Sequence, residues 1–410
     1  MTIDRRRGRR GPSSALPHLG WAGAPLLLCH PGPAQAHVKW FSQVVNCGNT
    51  PMSPLQVIGS PLFLALFVAA ILTLCGVFLV ERRVLQRFQA IQQSHADWKQ
   101  HFNRSAAWLL RLGVCIYFVS LLAHDSEPRI VLTPELTASG GWVPIAQALI
   151  AGLVLFRRTV PLAALGIVGL YAHGVWQEGW FHMLDYVYFL GVAAFLSLDA
   201  VFGAALHYVS FTLLRISAGF SFMWVSIEKW LYPQWTFDIL ERELRGITLG
   251  LDLPFFVMSA GMVEFCLAFL LVVGRLSSQV ASLILLALMV AGIPLVGLID
   301  AIGHAPLMIV LFIFSASQNR IGYPSEAALR GADIGHVLTF CAAVPGLMGL
   351  YVLSHAAAYP SVREWLSLAT LAGLVMALPL VWRVGRIRHR LFPMRQRHWQ
   401  VASSMWAQSA

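Results

Sequence analysis

The sequence predicts an all-α fold: a polytopic transmembrane helical bundle of about eleven spans, with two tandem four-helix units inside it. Three observations predict this. Hydrophobic residues make up 57% of the 410 positions and charged residues only 12%. Apolar runs of about 20 residues recur along the chain, the length that crosses a hydrocarbon core at the α-helical rise. The basic loops between those runs fall on one face when the N-terminus is set outside. Backbone groups in lipid need partners within the segment itself, so runs of this kind span as helices.

Taken in order, residues 1–36 read as a signal peptide or a basic N-terminal tail. Arg5–Arg10 is almost wholly basic, WAGAPLLL is apolar, and Ala34-Gln35-Ala36 is an A-x-A cleavage site. Residues 37–104 hold an outer segment, a first span at 61–80 closed by Glu81-Arg82-Arg83, and a polar stretch to Arg104. That stretch is expected to form a cytoplasmic amphipathic surface helix. The first four-helix unit, 105–203, has spans at 105–123, 142–156, 159–177 and 183–203, with Arg157-Arg158 in a cytoplasmic turn. The second unit, 206–320, has spans at 206–227, 254–274, 277–299 and 305–317. Segments 142–156 and 305–317 are short for a core of about 30 Å, so each is extended by flanking residues or is re-entrant. Pro144 and Pro306 point to helix starts there. Two C-terminal spans, 333–354 and 366–382, precede a basic cytoplasmic tail, 383–410.

The segment Lys229–Asp252 links two of these spans on the outer side. Phe237, Leu240, Leu244 and Ile247 recur at helical spacing opposite Glu241 and Arg245, the pattern of a helix lying on the membrane surface. Trp230 and Trp235 suit the aromatic belt. The net charge of +10 reports the excess of Lys and Arg on inner loops and implies no nucleic-acid partner.

Several chemistries are disfavoured. No Walker loop, dinucleotide fingerprint, nucleophile elbow or HExxH motif is present. Of the six cysteines, Cys75, Cys115, Cys266 and Cys341 fall in spans, and there is no CxxC pair for dithiol exchange.

The residues that stand out are charges inside apolar helices. Arg215 and Glu264 lie about nine and ten residues into adjacent antiparallel spans, which puts both near mid-membrane on helix arithmetic alone. A charge at that depth costs a few kcal/mol and has a partner or a job. One reading is a buried ion pair or proton-accepting site beside a quinone or substrate cavity. The other is a structural pair, or a snorkelling Arg with a protonated Glu. At the outer helix ends, His182 stands three residues before Asp185, and His304 four after Asp300. These four residues are candidate metal or headgroup ligands, set against ordinary interfacial histidines.

Internal similarity supports the repeat. Leu109-Leu110-Arg111 returns as Leu213-Leu214-Arg215, and the run from Ala146 resembles the run from Val263, with Gln147 opposite Glu264. In the second unit an Arg-led helix with Arg215 and Gly219 ends near Lys229 and Pro233. The next helix carries Gly261-x-x-Glu264 and ends at Gly274-Arg275, and the last opens at Gly303-His304. This unit resembles the DoxX-like family of four-helix integral membrane proteins, with Ser226 where the family usually places Gly; the first unit resembles a degenerate copy. The resemblance implies a bacterial inner-membrane protein, possible contact with quinone and a soluble or membrane redox partner, and makes Lys229 a candidate cofactor contact. A permease for a small solute or metal ion, and a scaffold without chemistry, stay open beside it.

Overall fold

Hydropathy finds the spans and leaves their packing open, and the computed structural model supplies that packing. It describes residues 49–87, 96–124, 127–242, 244–317 and 326–359. Among these residues nine helices are long and apolar enough to cross a membrane, and a tenth apolar helix is shorter. The elements are α1 (Pro54–Ile58), α2 (Pro61–Arg87), α3 (Ala96–Ala123), β1 (Arg129–Ile130), β2 (Thr137–Ala138), α4 (Trp142–Leu153), α5 (Val160–Glu178), α6 (Val187–Phe202), α7 (His207–Leu231), α8 (Pro233–Arg242), α9 (Leu253–Val273), α10 (Leu276–Val296), α11 (Leu298–Ala316) and α12 (Glu326–Ala358). The chain is an all-α, multi-pass integral membrane protein. The expected span 366–382, the N-terminal segment and the basic tail lie outside the described residues.

Helices α3, α4, α5 and α6 pack in sequence, as do α7, α9, α10 and α11, and the two sets meet along α6–α7 and α11–α3. The eight helices therefore form a closed circuit. Helices α2 and α12 pack on each other and against the α7–α9 side. Leucine, isoleucine and valine side chains such as Leu72, Leu165, Leu283 and Leu338 remain exposed on the outer surface, as lipid-facing positions do.

Close approach of α7 to α9 depends on one small residue. A Cβ at Gly219 would lie 2.3 Å from Val272 Cγ2 and 3.3 Å from the Ala268 carbonyl oxygen. Gly219→Val is expected to cost about 1–3 kcal/mol by overpacking, read as a lower thermal midpoint of the detergent-solubilised protein.

Three expectations need correction. Residues 81–87 continue α2 and 96–104 begin α3, so most of the 81–104 stretch extends spanning helices and is no separate surface helix. The segment 305–317 is extended by flanking residues, one of its two alternatives, but Pro306 does not start the helix: α11 begins at Leu298 and Pro306 lies inside it. The break between α10 and α11 is Gly297 alone, with φ +98°, a conformation that a side chain would strain. Asp300 and His304 made this stretch look like a loop, yet both sit within the helix. The helix expected across Lys229–Asp252 is brief: α8 covers Pro233–Arg242, and Arg245–Thr248 forms a separate 3₁₀ turn.

The other short segment is short indeed. Helix α4 has 12 residues, about 18 Å, and a buried loop precedes it. Val131, Leu132, Thr133 and Leu136 in that loop are fully buried. Its backbone is satisfied by the bundle: Gln147 Nε2 donates to the Ile130 oxygen (2.7 Å) and Tyr117 donates to the Leu132 oxygen. Gln177 Nε2 donates to the Thr137 oxygen at 3.0 Å. Irregular backbone at membrane depth is tolerated where protein covers it.

At the opposite face, charges lock α2 and α12 to the α9–α10 turn. Glu81 Oε1 accepts from the backbone N–H of Arg275 (3.0 Å) and of Ser277 (2.9 Å), capping the start of α10 from another helix. Asp333 on α12 pairs with Arg82 at 3.1 Å and Arg275 at 3.6 Å.

Candidate functional site

Helices α7 and α9 run antiparallel, and their register decides which polar residues meet. Gly219 lies beside Ala268 and Val272, while Gly261 lies beside Trp230 and the Ser226 carbonyl. Residues near 226–229 therefore stand level with 261–264. Lys229 Nζ sits 2.7 Å from Glu264 Oε2, an interhelical ion pair. Ser226, one turn before Lys229, brings its Oγ within 3.4 Å of the same oxygen.

The sequence neighbours of the pair, Trp230 and Phe265, are fully buried aromatic residues. Trp230 stacks on Phe265 at 5.5 Å and meets Phe63 of α2 edge-on at 5.2 Å; its Nε1 donates to the Met258 oxygen at 3.3 Å. The Lys229 side chain is 11% exposed and the Glu264 side chain 30%. The carboxylate is thus held by an ammonium yet still open on one side, in surroundings that offer it little else.

Arg215 is not the partner of Glu264. It precedes Ser226 by about eleven residues, or about 16 Å along α7, so the two charges lie at different depths. Counting inward from helix ends put them level because it assumed that α7 and α9 end together. Instead Trp230, next to the last residue of α7, lies beside Gly261 and Met258, so the start of α9 overshoots α7. The Arg215 guanidinium lies over the ring of Phe314 on α11, 5.4 Å from its centre.

The four candidate metal ligands also separate into local pairs. His182 and Asp185 are buried in a 3₁₀ turn, His182–Tyr186. His182 Nε2 is 2.9 Å from Glu135 Oε1, which also accepts from the Tyr186 hydroxyl. His304 Nδ1 is 2.8 Å from Asp300 Oδ1, one turn away on α11. Among the described residues, no group of three or more His, Cys, Asp or Glu side chains is arranged to hold a metal ion. Each His of the four has a carboxylate neighbour, Glu135 for His182 and Asp300 for His304.

Sequence reading missed Glu135 and Glu228. Glu228 is 2% exposed and accepts from the Tyr351 hydroxyl at 3.1 Å. Trp224 and Phe181 pack on Tyr351, with Trp224–Tyr351 ring centres 4.8 Å apart, and His355 packs on Phe181. The available signal was spacing: Ser217, Ser221, Trp224 and Glu228 share one face of α7, turned away from Lys229.

No protein-family model matches the chain, and no curated protein or solved structure matches it. What defines its class is the fold and the site: a multi-pass integral membrane protein with an interhelical Lys–Glu pair inside a four-helix set.

Proposed function

We propose that this protein is a DoxX-like, quinone-contacting component of a membrane redox system. In this reading it lies in the bacterial inner membrane, with its N-terminus outside and its C-terminus cytoplasmic. The observation that carries the reading is the Lys229–Glu264 pair, joined across α7 and α9, with Glu264 still partly open. Such a pair suits a lipid-soluble ligand with a polar head. The ammonium donates to a carbonyl oxygen and the carboxylate accepts from a hydroxyl. A quinone, when bound, supplies two-electron, two-proton redox chemistry. Glu264 Oε2, with its negative charge balanced by Lys229 Nζ, can take up or release a proton there.

The test is saturable quenching of tryptophan fluorescence by a short-chain quinone, with the full chain in lipid nanodiscs. Glu264→Gln and Lys229→Met are expected to weaken binding about tenfold, the loss of one charge-assisted hydrogen bond. Glu241→Gln, exposed on α8, is the control and leaves binding unchanged. Wild-type protein without saturable binding, or variants that bind as it does, would refute the reading.

A small-solute or metal-ion permease is the second reading. It is favoured by polar groups at successive depths of the second unit: Asp300–His304, Lys229–Glu264 and Arg215. Uptake into proteoliposomes that Glu264→Gln abolishes, without quinone binding, would decide for it.

A further inference from the structure

Arg215 and its counterpart in the first unit differ in one respect. Arg111 donates from Nε to the Val154 oxygen (2.8 Å) and from a terminal nitrogen to the Leu155 oxygen. It can do so because α4 ends at Leu153 and frees those carbonyls. In the second unit α9 runs on to Val273, and two carbonyls of its last turn accept from the turn that follows. Gly274 N–H donates to the Leu270 oxygen (2.8 Å) and Ser278 Oγ to the Leu271 oxygen (3.0 Å).

Arg215 is consequently left with the face of Phe314, and its buried Nε has no hydrogen-bond partner. Among the described residues no carboxylate pairs with it. A guanidinium inside a spanning helix, desolvated on one side and unmatched in charge, is costly unless an anion meets it.

Its position says where that anion comes from. Arg215 lies about 12 Å along α7 from His207. Helix α7 begins after the turn at Gly203–Leu206, where Arg157 Nε donates to the Ala200 oxygen at 3.4 Å. This is the basic face of the molecule. Side chains on a helix lean toward its N-terminus, so Arg215 reaches back toward that face. Tyr208, two turns earlier on the same side of α7, is exposed and adds a hydroxyl.

We infer that Arg215, with Phe314 beneath it, is a binding site for a phosphate oxyanion at the basic face, between α7 and α11. The planar fork of Arg takes two phosphate oxygens at once. The same chemistry is offered by the headgroup of an anionic phospholipid in the adjacent leaflet and by free phosphate. The site is separate from Lys229–Glu264 and does not rest on the quinone reading.

Native mass spectrometry of the delipidated full chain tests it, with phosphatidylglycerol, diacylglycerol or inorganic phosphate added back. Wild-type protein is expected to retain phosphatidylglycerol or phosphate over diacylglycerol, and Arg215→Met to lose that affinity about tenfold or more. Retention of phosphatidylglycerol undisturbed by millimolar phosphate identifies the lipid as the source; binding of phosphate without lipid identifies the free ion. Arg215→Lys, which keeps the charge and loses the fork, is expected to fall between the two and serves if Arg215→Met does not fold. Binding to wild type, Arg215→Met and Arg215→Lys that is equal, or no preference for phosphate-bearing probes, overturns the inference.

Discussion

Asp333→Leu is expected to destabilise the protein by about 3–5 kcal/mol, the largest effect of any single substitution considered for this chain. Asp333 is 7% exposed and holds two guanidinium groups, Arg82 at 3.1 Å and Arg275 at 3.6 Å. Removing it leaves two largely buried cations without their shared anion, and breaking a buried ion pair from one side costs far more than the pair contributes. The damage would spread, because Arg275 belongs to the turn that Glu81 caps. Loosening that turn disturbs α2, α10 and α12 together. Thermal unfolding in detergent measures the effect. Joint replacement of Arg82, Arg275 and Asp333 by Met, Met and Leu is expected to recover much of the loss, since no charge is then stranded. An Asp333→Leu protein within about 0.5 kcal/mol of wild type would contradict the buried cluster.

The second large effect falls on the site itself. Lys229→Met is expected to cost about 2 kcal/mol, less than the fully buried case because Glu264 stays partly open. The mutant strands a carboxylate between α7 and α9, so adding Glu264→Gln should restore part of the stability. The two changes should therefore couple by about 1 kcal/mol or more in a double-mutant cycle. Arg215→Met combined with Glu264→Gln should be additive, because those side chains lie on different levels. Coupling between Arg215 and Glu264, with none between Lys229 and Glu264, would mean that the register of α7 against α9 is wrong.

The sequence carried the spans well, for a physical reason. Lipid demands long apolar helices, so hydropathy and basic loops mark them directly. It carried partnerships poorly. Glu264 was visible as a charge in an apolar run, but its partner depends on how far α9 slides past α7. That slide is set by close contacts at Gly219 and Gly261, which no period in either helix records. Lys229 entered only as a candidate cofactor contact implied by the family resemblance, with no sign that Glu264 is its partner. Position 297 misled in the other direction: one glycine turns the chain between two helices, while the polar Asp300 and His304 inside α11 imitated a loop. The loop before α4 shows no apolar period, yet Thr133 in it is fully buried. Buried acids such as Glu81 and Asp333 escaped notice because they lie near helix ends, where charge is ordinary.

Photolabelling maps the proposed ligand site most directly. The full chain in nanodiscs would be irradiated with a photoreactive quinone analogue, digested, and its labelled peptides identified. Label is expected in His207–Leu231 and Leu253–Val273, competed by unlabelled quinone and lost in Glu264→Gln. Label confined to α3–α6, or undiminished when Glu264 is replaced, would show that the Lys229–Glu264 pair holds two helices together and receives no ligand.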